Sequence, residues 1–305
     1  MAAPRKNRGV FLILAAALIW GWNGPAMKGL YISGIALPTL LFLRTLICVV
    51  VSGIFFLFFN RFVFCLSPRQ FLFLFFYGTF VVSGTTVGFF YSLKYMPVAS
   101  ALLLHYLYPV FTMGGSLFFL KEKPTLKQVF SSLLILFAVG TGVFKSGELF
   151  DGVSIQGILW GVAAVVGISL QTLMARLASV SLFIPQLTLL FHGFLWSLLP
   201  ISLFLMKRGD WLCIAIIPLN KWLLVVALGI VGTLFSQLLY FLGLRKISAS
   251  LGSLASSFEL VAAMFFSTML LDEWPSFLEV ASSIVVIAAI AWATDASFSG
   301  ETVKT

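Results

Sequence analysis

Residues 91–124 read YSLKYMPVASALLLHYLYPVFTMGGSLFFLKEKP, and residues 242–275 read LGLRKISASLGSLASSFELVAAMFFSTMLLDEWP. The second stretch begins 151 residues after the first. In that register Glu122 of KEKPT returns as Glu273 of DEWPS, Pro124 as Pro275, and, further upstream, Gly78 as Gly229. The offset is close to half of 305 residues, so the chain reads as two copies of one unit. Each stretch holds an apolar run long enough to cross a bilayer, which takes about 20 residues. Duplication of a polytopic membrane unit is how many secondary transporters are built, with the substrate site where the copies meet.

Composition supports a lipid solvent for the whole chain. It is 61% hydrophobic and 10% charged, against roughly 25% charged for a soluble domain. Ten apolar segments span roughly 10–30, 37–59, 70–92, 98–119, 127–145, 155–176, 183–206, 220–243, 250–271 and 277–295. They are too long and continuous for the alternating strands of a membrane barrel. The expected fold is therefore an all-α polytopic membrane protein with ten transmembrane helices. Residues 1–147 form the first five-helix repeat, 154–296 the second, and 297–305 a polar cytoplasmic tail. Residues 145–156 (KSGELFDGVSIQ) join the copies as a loop. An odd number of spans per copy turns the second upside down relative to the first.

The net charge of +9 is distributed as topology would have it. With a cytoplasmic amino terminus, twelve Lys and Arg fall inside and six outside, with Arg44 within a span. That is the positive-inside asymmetry, with both termini cytoplasmic in a multi-pass cell (inner) membrane protein. Six acids, Glu148, Asp151, Asp210, Asp272, Glu273 and Glu279, fall outside, and a nucleic-acid partner has no support. Arg5, Lys6 and Arg8 before an apolar run resemble a signal peptide, but the run continues through Leu18–Trp22, so an uncleaved first helix is expected. Cys48, Cys65 and Cys213 are widely spaced, which suggests neither disulfides nor a metal site, and no cofactor motif is present. No Walker motif argues for ATP-driven transport.

Ionisable side chains at membrane depth usually face a wet cavity or a partner. Glu259 is the best example, midway along the ninth span, with Ser256 and Gly252 on its face at i−3 and i−7. In the 151-residue register Glu259 falls on Tyr108 and Ser256 on His105, so two related helices present these four groups to one site. A helix-packing cluster around a protonated Glu259 is the alternative. In the first span Trp20, Trp22 and Asn23 precede Pro25, which should kink the helix by displacing the Gly21 carbonyl. At an offset of 148, Asn23 falls on Gln171 and Arg44 on His192. Arg44 could bind a substrate carboxylate or pair with Glu259, whereas His192 also suits helix–helix bonding. Pro109 and Pro200 are further bending points. Glu122 and Glu273, at span ends, read as structural.

The stretch 91–124, with its short small-residue turn, internal Pro109 and closing Glu122, resembles the end of the repeat in EamA-type members of the drug/metabolite transporter superfamily. The opening GVFLILAAALIWGWNGPAMKG from Gly9 is similar to that family's first helix, and Arg44 matches the arginine of its second. The second copy departs from the pattern in having Leu260 where the first has Pro109. The resemblance implies carriage of a small organic metabolite through a central cavity by alternating access. One acid, one arginine, two histidines, amides and aromatics suit a zwitterion or organic cation. An amino acid fits, as does S-adenosylmethionine, which some carriers of the superfamily take up. Proton coupling, counter-substrate exchange and facilitated diffusion stay open. So do a homodimer, through small residues such as Gly114, Gly115, Gly140 and Gly142, and two rival classes, a lipid-modifying membrane enzyme and an assembly protein without substrate.

Overall fold

The computed structural model describes residues 2–59, 61–144, 153–208, 212–215 and 217–295, so the tail 297–305 and most of the connecting loop lie outside the described residues. Among the described residues, nine helices are long and apolar enough to cross a membrane. A shorter apolar helix, Leu126–Thr141, stands where the fifth of the ten expected spans belongs. The second span, Leu37–Phe59, and the tenth, Phe277–Asp295, match the sequence reading at both ends.

Two prolines lie inside helices that continue through them. The first helix runs unbroken from Ala2 to Ile32 through Pro25, and the seventh from Gln186 to Arg208 through Pro200. Proline inside a membrane helix is tolerated because neighbouring groups re-satisfy the freed backbone.

The duplication is visible in small structural details at the same offsets. Lys121 and Asp272, 151 residues apart, both end their helices in the left-handed conformation, at φ 56° and 55°. The next residue in each case returns its N–H to a serine carbonyl, Glu122 to Ser116 at 3.1 Å and Glu273 to Ser267 at 3.4 Å. The following helices open with reciprocal caps, Thr125 with Gln128 and Ser276 with Glu279. Wide-turn segments begin at Tyr77 in the third span and at Leu228 in the eighth.

Packing interleaves the copies. The first span packs on the eighth and ninth, and its counterpart, the sixth, packs on the third and fourth. The second and seventh spans pack on each other, as do the fifth and tenth. Each half therefore buries its apolar faces chiefly against the other. At one crossing the Gly21 Cα leaves room for the ninth span, since a Cβ there would sit 2.4 Å from that of Ala262. Gly115 closes in the same way on Leu173 of the same chain, so that pairing is internal.

Candidate functional site

The fourth and ninth spans are both broken, at 106–107 and 257–258, again 151 residues apart. The fourth continues as Val98–His105 and then Tyr108–Gly115, the ninth as Ala249–Ser256 and then Glu259–Leu271. The two breaks have different chemical causes. In the fourth span Pro109 has no N–H to give the His105 carbonyl, and Leu107 bonds instead to Leu104 at 3.1 Å. The ninth span has no proline there. Its Ser253 carbonyl, which should accept from the Ser257 N–H, accepts hydroxyls from Tyr108 and Ser256, each at 2.9 Å, and from Ser257 at 3.4 Å. The Ser257 N–H turns to Leu254 at 3.1 Å and the helix interrupts.

Around the two breaks lies a hydroxyl and aromatic cluster fed by six spans. Tyr108 Oη also meets Ser256 Oγ at 2.9 Å, and Ser169 Oγ of the sixth span donates to the Tyr108 carbonyl at 3.1 Å. Tyr240 of the eighth span meets Thr172 at 2.8 Å, and its ring lies 5.0 Å from that of Trp20 of the first. His105 packs between Phe89 of the third span, at 4.9 Å, and Tyr108, at 5.8 Å, and its buried Nδ1 has no partner. Tyr77, also from the third span, turns its buried hydroxyl toward Gln171.

Glu259 sits in the first turn of its half-helix, whose free N–H groups favour negative charge. Its electrostatic neighbours are Tyr106 and Tyr108. Ala262 and Ala263, on its face at i+3 and i+4, pack on Gly21 of the first span. Tyr106 and Tyr108 are both buried, so the carboxylate lies beside the packed centre, on a residue of intermediate exposure. Among the described residues the ion pairs are Lys28–Glu273 and Arg176–Glu122, and Glu259 has no cation beside it.

The cluster thus gathers Trp20, His105, Tyr108, Gln171, Ser256 and Glu259, six of the nine residues expected from sequence. The other three stand apart. Asn23 donates to the Gly232 carbonyl at 3.2 Å and holds the first span to the eighth, with its Oδ1 buried and unpartnered. Arg44 does not pair with Glu259: its Nη1 meets Met27 Sδ at 3.6 Å and its Nε is buried without a partner. The Arg44 side chain reaches Met27 of the first span, seven residues along that helix from Trp20. His192 meets the Val63 carbonyl at 3.0 Å through Nε2 and packs on Phe191, as a helix-joining histidine does.

Sequence reading missed Tyr77, Thr172, Tyr240 and Ser253. Tyr240 falls near the expected end of the eighth span, where tyrosine is ordinarily an interfacial anchor. A lone mid-span hydroxyl such as Tyr77 was the one signal available. The centre is packed in this conformation: Tyr77, Tyr106, Tyr108, Tyr240 and Ser256 are buried. Two open grooves, of about 440 and 340 Å³, lie at the amino-terminal end, the first lined by Asn7, Arg8, Phe11, Leu12 and Lys246. They hold none of the cluster residues.

Residues 7–141 and 155–294 each match the profile of the EamA-like transporter family. An uncharacterized inner membrane transporter of Escherichia coli K12, YhbE, is 28% identical over 88% of this chain and 83% of its own length. An uncharacterized membrane protein of Saccharomyces cerevisiae, YMR253C, is 26% identical over 67% of this chain, and the match spans about half of that relative, 53%. A solved crystal structure superposes with a TM-score of 0.75 at 20% identity, covering 96% of this chain and 98% of the other, which is a likeness of fold.

Proposed function

Because the chain belongs to the EamA-like transporter family, a family of membrane transporters and not of enzymes, we propose that it carries a small amine-bearing organic metabolite by alternating access. The two copies are inverted relative to one another, in the inner membrane, with both termini cytoplasmic. The single observation that carries this reading is the pair of helix breaks at 106–107 and 257–258. Discontinuous helices at matching places in two repeats are where secondary transporters build their substrate sites.

The chemistry of the cluster supports the cargo. Glu259 is an acid without a cation, and an ammonium group would supply one. Tyr108 offers a ring beside it, and Trp20 and Tyr240 offer further rings in the cluster, suited to a cation or to an apolar side group. Amino acids and S-adenosylmethionine both meet this description. With both ion pairs made and the centre packed, the conformation reads as closed at both ends.

Uptake and counterflow of radiolabelled amino acids and S-adenosylmethionine into proteoliposomes test the proposal. The expected result is saturable movement of at least one amine-bearing solute, competed by its relatives. Movement of none, or equal movement of solutes lacking the amine, overturns the cargo assignment.

A further inference from the structure

The two ion pairs are images of one another under the duplication. Glu122 and Glu273 are 151 residues apart, and Arg176 follows Lys28 by 148, the offset that also relates Gln171 to Asn23. Each pair joins the first span of one copy to the end of the fourth span of the other. They sit at opposite ends of the bundle. Arg176–Glu122 lies beside Leu244 and Ala249, near where Gly9 of the first span meets Lys246. Lys28–Glu273 lies where the first span finishes.

We propose that these pairs are the two gates of the carrier, Arg176–Glu122 at one mouth and Lys28–Glu273 at the other, broken one at a time. The proposal rests on the alternating-access reading and names four positioning residues for it. The first gate is a clasp of four elements. Arg176 gives Nε to Glu122 Oε1 at 2.8 Å and Nη1 to the Leu244 carbonyl at 2.9 Å, while Glu122 Oε2 accepts the Ala249 N–H at 2.9 Å. Ala249 starts the buried half-helix that runs to the break at 257–258. Letting go of Glu122 therefore frees both the mouth and the element that carries Ser253 and Ser256. The second gate is simpler and wetter: Lys28 and Glu273 are 51% and 46% exposed, against 15% and 20% for Arg176 and Glu122. Both pairs tie the first span of one copy to the close of a broken span of the other, so each holds one end of the bundle shut.

The test uses the full chain with Cys48, Cys65 and Cys213 replaced by alanine and Gln171→Cys as reporter. A membrane-impermeant maleimide is applied to right-side-out and to inverted vesicles. Glu122→Gln should raise labelling about tenfold or more from the side where the first span begins, because a half-buried pair is broken. Glu273→Gln should raise it about two- to fivefold from the opposite side, as befits an exposed pair. Lys28→Glu combined with Glu273→Lys should restore the parent rate. Unchanged labelling in both single variants, equal gain from both sides, or no recovery in the charge swap overturns the assignment. The readout needs no substrate, so failure here is distinct from failure of the uptake assay.

Discussion

Glu259 is a lone acid inside an apolar bundle, held at the start of a half-helix next to Tyr106 and Tyr108. Replacing it by glutamine keeps size and hydrogen-bonding reach but removes the charge. Uptake by Glu259→Gln should fall about tenfold or more, the worth of one charge-assisted hydrogen bond, with surface expression unchanged. Wild-type uptake would return Glu259 to a packing role. Tyr108 should behave differently, because its hydroxyl occupies the Ser253 carbonyl and Ser256. Tyr108→Phe should destabilise the purified protein by about 1–3 kcal/mol, read as a lowered midpoint in thermal unfolding. Glu259 was legible in the sequence because charge is conspicuous among apolar residues. Tyr240 was not: its role depends on Thr172 and Trp20, which reach it from other spans.

The broken helices show how one shape can arise from two chemistries. Pro109 announces the first break in the sequence, though the interruption falls at 106–107, just before it. The second is written in the tertiary structure, where Tyr108 from another span claims the carbonyl that the ninth helix needs. Local reading had no means of finding it. The equivalence makes a prediction, since Leu260 occupies the position of Pro109 in the first turn of the half-helix. Leu260→Pro should fold and insert with a loss of only about 1 kcal/mol, because the first helical turn accommodates proline. Ala263→Pro, one turn further on and against Gly21, should cost about 3 kcal/mol or more. Unfolding midpoints in detergent would separate the two, and equal losses would contradict the helix start at Glu259.

The duplication, the all-helical membrane fold and most span limits were legible because apolar length and a repeated offset need no partner to be seen. The interleaving was not, since sequence gives the faces of a helix and not which copy covers them. Contact across the copies makes the closest approaches sensitive to a single methyl. Gly21→Ala should lower stability by about 1–3 kcal/mol through overpacking on Ala262, whereas Gly24→Ala, with open space around it, should be neutral. A calorimetric comparison of the two checks the crossing. The unequal wetness of the two ion pairs has an electrolyte consequence. Screening length shrinks from about 8 Å at 0.15 M salt to about 3 Å at 1 M, and it acts far more on groups in water than on sheltered ones. Lys28 and Glu273 stand in reach of those counter-ions; Arg176 and Glu122 are largely shielded. Brine should therefore loosen one face of the protein and leave its twin latched, so that ionic strength alone would bias the direction in which an empty carrier rests.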